Sequence, residues 1–151
     1  MSKVIVIGSG TMGVGIAAGF LAYGTDTIIL GRTQEKAEKC LNAIQACADS
    51  INPEWQTLGS SLLAGSIPDW NDWQDTALVI ETISERLDLK KEIFADLDQR
   101  VPSHIPIGSN SSGFPISDIA GDLKSAHRML NTHYFMPAHI VPGGSCFRKT
   151  L

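Results

Sequence analysis

Three glycines near the amino terminus, Gly8, Gly10 and Gly13, form the pattern Gly8-Ser-Gly10-Thr-Met-Gly13. A β-branched apolar run at residues 3–7 ends on the first of them, and a helix-like stretch at 11–23 follows the second. A strand before and a helix after is the context in which G-x-G-x-x-G holds the diphosphate of a dinucleotide. Gly8 permits a tight turn, Gly10 lets a pyrophosphate reach the backbone, and Gly13 lets helix and strand pack closely. The helix tip at Thr11, Met12 and Gly13 then presents free N–H groups and a partial positive charge to the phosphates.

The second place with chemical content is the end of the next apolar run, residues 26–30. NAD-binding folds often carry an acid there, about 20 residues after the glycines, to hold the ribose hydroxyls. Here Gly31-Arg32-Thr33 follows instead. Gly31 makes room, Arg32 suits a 2′-phosphate and Thr33 can hydrogen-bond one. The expected cofactor is therefore NAD or NADP, with NADP favoured.

These residues need a scaffold, and the rest of the chain supplies its pattern. A polar helix is expected over 33–50, with Ala37, Cys40, Leu41, Ile44 and Cys47 as one buried stripe at steps of three and four. Residues 52–66 hold Pro53, Gly59 and Gly65 and read as a loop with a helical turn. A strand at 77–81, a helix at 86–100, a strand at 105–109, a short helix at 116–120 and a last strand at 127–135 follow. Alternation of this kind points to an α/β fold, a Rossmann-type doubly wound parallel sheet in a single domain. The expected domain is 1–142, with 143–151 a short divergent tail.

Composition narrows the function classes. A chain of 151 residues is enough for one core of ordinary size. A net charge of −4 leaves no basic footprint for nucleic acid. No apolar stretch is long enough to cross a membrane, and the N-terminal run is broken by glycines, unlike an export signal. The expected location is cytoplasmic. Cys40, Cys47 and Cys146 are an odd, scattered set that suits core packing better than disulfides. No Cys/His spacing suggests a metal site.

Four ordered blocks carry a family resemblance. Gly8-Ser-Gly-Thr-Met-Gly-Val-Gly-Ile-Ala17 resembles the opening of the NAD-binding domain of 3-hydroxyacyl-CoA dehydrogenases. Val79-Ile-Glu81-Thr-Ile-Ser-Glu85-Arg-Leu-Asp-Leu-Lys90-Lys-Glu-Ile-Phe94 resembles that family's acidic segment and its following helix. Ser109-Asn110-Ser-Ser112 resembles its Ser-Asn-Thr-Ser segment, and Arg128-Met-Leu-Asn-Thr-His133-Tyr-Phe-Met-Pro137 its Arg-x-x-Gly-x-His-Phe-Phe-Asn-Pro segment. Lambda-crystallin-type sugar dehydrogenases share much of the pattern. The resemblance implies that His133 is a general base taking a hydroxyl proton while hydride goes to nicotinamide. It implies that Ser112 contacts the substrate oxygen and that Glu85, Lys90 and Asn110 lie along the cofactor and substrate cleft. A histidine titrating near neutrality suits that task. The implied substrate is a small molecule with a secondary alcohol, such as an acyl-CoA.

The pattern also breaks. The family pairs its histidine with a glutamate twelve residues on, which orients the imidazole. Twelve residues after His133 stands Ser145, and Met136 replaces the family's Asn. The family's second, helical domain has no counterpart in these residues, as in a truncated or frame-shifted product. The expected assembly is a homodimer or a pairing with a separate helical domain. Two functions stay open: the cofactor-binding half of a dehydrogenase, or a dinucleotide-binding module without turnover of its own.

Overall fold

In the computed structural model, residues 2–139 and the backbone of 145–147 are described. Strand β1 (Lys3–Ile7) alternates between two layers: Val4 and Val6 pack on one face of the sheet, Ile5 and Ile7 on the other. A strand apolar on both faces belongs in the middle of a parallel sheet covered by helices on both sides. Helix α1 (Thr11–Ala22) ends at Tyr23 and Gly24, where φ of +82° makes glycine the favoured residue. Strand β2 (Asp26–Gly31) pairs parallel with β1.

The helix expected over 33–50 is two helices, α2 (Gln34–Glu38) and α3 (Leu41–Ile51). Thr33 caps α2, its hydroxyl accepting from Lys36 N–H at 3.4 Å. At the break, Cys40 N–H bonds Ala37 O, one residue tighter than α-helical, and the Cys40 thiol donates to the same carbonyl at 3.0 Å. The periodic stripe survives the break at Ala37, Cys40 and Ile44, all buried, while Leu41 and Cys47 are half-buried.

A larger difference lies in residues 52–66, expected to be loop. A 3₁₀ turn at Trp55–Leu58 is followed by strand β3 (Leu62–Ser66), which pairs parallel with β2. An edge strand buries little: Leu63 stays 54% exposed, so no apolar run announces it. Then come β4 (Thr76–Glu81), α4 (Leu87–Arg100), β5 (Ile107–Ser109), α5 (Ile116–Ala120), a 3₁₀ turn at Ala126–Arg128 and β6 (Met129–His133). In the tail, where no strand was expected, β7 (Ser145–Phe147) runs antiparallel to β6.

The sheet order is β3-β2-β1-β4-β5-β6-β7, parallel up to β6. The chain winds outward from β1 to β3, returns to the centre at β4 and winds the other way. Helices α1 to α3 contribute to one core layer, and α4 and α5 to the other. Strand order reverses between β1 and β4, and in open sheets of this kind ligands bind outside the carboxyl ends of the strands at that point. Phe94 anchors the α4 layer and is fully buried. Phe94→Ala is expected to cost about 3–5 kcal/mol, read as a lower urea midpoint at unchanged m. A loss below about 1 kcal/mol would show that the layer is held otherwise.

Candidate functional site

At the carboxyl ends of β1 and β4 the glycine loop meets Thr82. The Thr82 hydroxyl sits 2.9 Å from Ile7 O and 3.2 Å from Gly8 O, and its N–H donates to Ile7 O at 2.7 Å. The three glycines divide by what a side chain would meet. Gly8 has φ of +113°, and a Cβ there would lie 2.6 Å from Thr82 Oγ1. A Cβ on Gly13 would lie 1.8 Å from Gly8 O. A Cβ on Gly10 would meet nothing within 4 Å, and the backbone there is extended at φ −82°. Folding therefore requires glycine at 8 and 13 but not at 10.

Gly10 opens into a cleft of about 870 Å³, whose walls include Thr11, Met12, Arg32, Lys36 and the turn after β4. Arg32 lies on the wall. Lys36, not foreseen, lies there too, one turn into α2 from the Thr33 cap. Neither has an ion-pair partner among the described residues. Gly31 stands behind them, buried; a Cβ there would come within 2.9 Å of Ala37 N and Thr33 O. Its missing side chain makes room for α2 rather than for a ligand. The Thr33 hydroxyl is engaged in the cap.

A second hollow of about 520 Å³ adjoins the first past Met12 and Thr82, and it is lined by Glu85, Lys90, Asn110 and Ser112. Beneath it runs a charged network. Lys90 is only 1% exposed, and its ammonium donates to Glu81 Oε1 at 2.7 Å, with Glu85 Oε2 at 3.3 Å and Ile83 O at 3.4 Å. Glu81, fully buried at the end of β4, also accepts from Ile83 N–H and from the Ser109 hydroxyl, both at 2.6 Å. A charge-laden helix segment reads as solvated, so the burial of Lys90 is visible only once β4 lies beneath α4. The second Glu85 oxygen accepts from the Ser111 hydroxyl and from Gly113 N–H. Partial burial alone would raise the Glu85 carboxyl, but those two donors and the Lys90 ammonium outweigh it and hold it below its ordinary value.

The turn after β5 thus carries Ser112 in a fixed place. Its hydroxyl lies 2.8 Å from His133 Nε2 at the end of β6. Asn110 Oδ1 accepts Tyr134 N–H at 2.8 Å, which ties the end of β5 to the end of β6. The His133 ring meets Phe135 edge-on, with centroids 4.7 Å apart. In the antiparallel β6–β7 pair, residue 145 stands opposite His133 in register, and that residue is serine. Ser112, in the turn after β5, and His133, at the end of the next strand β6, therefore meet, without a carboxylate at the register position opposite the histidine.

Comparisons with known proteins agree with this geometry. Residues 3–143 match the family described as "3-hydroxyacyl-CoA dehydrogenase, NAD binding domain". The chain is 33% identical over 148 residues to a peroxisomal fatty acid beta-oxidation multifunctional protein of Arabidopsis thaliana, covering 94% of this chain and 20% of that protein. It is 30% identical over 144 residues to a 3-hydroxybutyryl-CoA dehydrogenase of Clostridioides difficile, covering 92% and 51%. The crystal structure of 3-hydroxybutyryl-CoA dehydrogenase from Escherichia coli K12 superposes with a TM-score of 0.80 at 29% identity, over 96% of this chain and 32% of that one. The chain thus spans between a fifth and a half of the length of these curated relatives.

Removing one partner of a buried pair strands the other charge, at a cost of about 3–5 kcal/mol. Lys90→Met is expected to lower stability by that amount in urea titration. Glu81→Gln on top of it should recover part of the loss, because the stranded carboxylate is gone. A double variant less stable than Lys90→Met would contradict the pairing.

Proposed function

Because the chain belongs to the 3-hydroxyacyl-CoA dehydrogenase NAD-binding domain family, we propose that the cleft at Gly10 takes the diphosphate of a nicotinamide dinucleotide and that the adjoining hollow takes a secondary alcohol of the 3-hydroxyacyl thioester type. The observation that carries the binding half is the open space at Gly10: a glycine that the fold does not need, at the tip of α1, where N–H groups face the cleft. The residues present fit the cofactor. Gly8, Gly10 and Gly13 with the Thr11 and Met12 amides would hold the phosphates, Met12 and Thr82 lie at the passage into the second hollow, Glu85 lines that hollow, and Arg32 and Lys36 stand on the wall of the first.

Bound nicotinamide supplies the hydride acceptor. The protein's own groups deal with the proton. Ser112 Oγ orients the alcohol oxygen, and His133 Nε2, within 2.8 Å of that hydroxyl, takes the proton as the carbinol hydrogen leaves as hydride. The Glu85 charge, held by Lys90 and the serine turn, sets the field in the hollow without being aimed at His133. A second reading has its own observation behind it. With serine at the register position opposite His133, the imidazole lacks an orienting carboxylate there, which favours a dinucleotide-binding module over an enzyme.

One set of measurements separates these readings. Gly10→Val is expected to keep the melting temperature within a few degrees and to weaken dinucleotide binding by at least tenfold, because the added carbons fall in the cleft and not in the core. Unchanged affinity would overturn the site. Nicotinamide absorbance with a short 3-hydroxyacyl-CoA reads turnover. Turnover abolished in His133→Ala supports the dehydrogenase, whereas saturable binding with no turnover in the unaltered protein supports the module.

Cofactor preference is part of the same proposal. Two cations, Arg32 and Lys36, without an ion-pair partner among the described residues, line the wall beside β2, and the first acid after that strand, Glu35, is paired with Lys39 at 2.6 Å. This charge pattern favours a 2′-phosphate, hence NADP over NAD. A charge-assisted hydrogen bond contributes about 1.5–3 kcal/mol, so Arg32→Ala should weaken NADP about tenfold or more and NAD far less. An unaltered protein that binds NAD more tightly than NADP refutes the preference.

A further inference from the structure

The turn that presents Ser112 is tied down from three directions. Glu85 holds Ser111 and Gly113 from the side of β4 and α4. Ser109 Oγ holds Ser111 N–H from within, at 3.2 Å. The third hold comes from β6 itself. Asn131 Oδ1 accepts Ile116 N–H at 2.7 Å, and Asn131 Nδ2 donates to Phe114 O at 3.3 Å. Ile116 is the first residue of α5, whose N-cap position is Pro115 with no side-chain cap of its own, so Asn131 satisfies from another strand a helix-end N–H that the local sequence leaves open.

Asn131 and His133 are two residues apart on one strand and therefore share a face of the sheet. From that face Asn131 grips the far end of the turn and His133 meets its apex at Ser112. The two-residue step along β6 thus sets the position of the hydroxyl relative to the ring. The family pattern has glycine where this chain has Asn131, so the hold is a feature of this chain and not a requirement of the fold.

We propose that Asn131 is a positioning residue: it fixes the serine turn to β6 so that Ser112 Oγ stays within hydrogen-bond reach of His133 Nε2. The inference rests on the Ser112–His133 pair named in the proposed function. Asn131 touches neither the glycine loop nor the cleft walls, so its effect is separable from dinucleotide binding.

The test uses the ¹⁵N resonance of His133 Nε2 in the full chain, with Ser112→Ala as the reference for a ring that has lost its partner. Asn131→Gly is expected to fold, since glycine is compatible with this strand in the family pattern, and to move the Nε2 resonance at least halfway toward its Ser112→Ala position. Asn131→Asp keeps the acceptor for Ile116 N–H and is expected to stay near the unaltered protein. Dinucleotide affinity should change less than about twofold in both. An Nε2 resonance in Asn131→Gly identical to the unaltered protein overturns the inference, as does an Asp variant no closer to the unaltered protein than the Gly variant. A resonance indifferent to Ser112→Ala overturns the pair itself and the inference with it, while dinucleotide titration reports separately on the binding site.

Discussion

The carbonyl oxygen of Gly8 occupies the place where any side chain on Gly13 would go, 1.8 Å from an ideal Cβ. That contact sets how closely α1 docks on the end of β1. With the helix docked there, its first residues, Thr11 and Met12, line the cleft. Thr82, at the end of the neighbouring strand, bonds Ile7 O and Gly8 O and leaves no space for a bulkier residue at position 8. The binding loop is thus shaped by the packing of two strand ends and one helix, and Gly10 is the position in it that packing leaves free. A ligand's demand and the fold's demand fall on different glycines of one motif.

A second constraint lies across the sheet. Glu81, Lys90 and Glu85 form a line from the buried end of β4 through α4 to the turn after β5. Two buried charges are an uneconomical way to hold a helix on a strand, since well-packed apolar residues do it as well or better. What the ionic line adds is direction: the Glu85 carboxylate must lie between the Lys90 ammonium and the donors of Ser111 and Gly113. The turn carrying Ser112 is thereby referred to the rigid centre of the sheet, and its apex meets His133 at the end of the next strand. The glycine loop and the serine turn are separate devices, each positioned by β4.

Much of this was legible in the residue pattern, and the exceptions share a cause. The strand β1, the helix α1 and the glycine turn between them announce themselves through contiguous residues, since each is locally determined. The helix α5 at Ile116–Ala120 is also found where the pattern places it. Strand β3 is not, because an edge strand with Leu63 in solvent shows neither an apolar run nor clean alternation. The expectation that Gly31 makes room for a ligand misses for a related reason: its partner, Ala37, lies across a turn whose geometry the spacing does not define. The burial of Lys90 becomes visible only once Glu81 is known to lie under it, and the hold made by Asn131 only once Ile116 is known to lie beside it. Strand β3 on β2, Lys90 on Glu81 and Asn131 on Ile116 are contacts between residues that no hydrophobic period relates.

The departures from the family pattern are not spread evenly. The glycine loop matches it residue for residue at Gly8, Gly10 and Gly13, and Glu85, Lys90 and Ser112 are in place. Three of the changes, Asn131, Met136 and Ser145, fall within two strands and one turn around His133. The first adds a side-chain hold on the serine turn, and the last removes a carboxylate from the register position facing the histidine. Both changes bear on the surroundings of His133: the held turn carries the Ser112 hydroxyl 2.8 Å from Nε2, and the position paired with His133 across β7 is serine. The glycine pattern is thus kept whole, while the changes gather where β6 ends and pairs with β7.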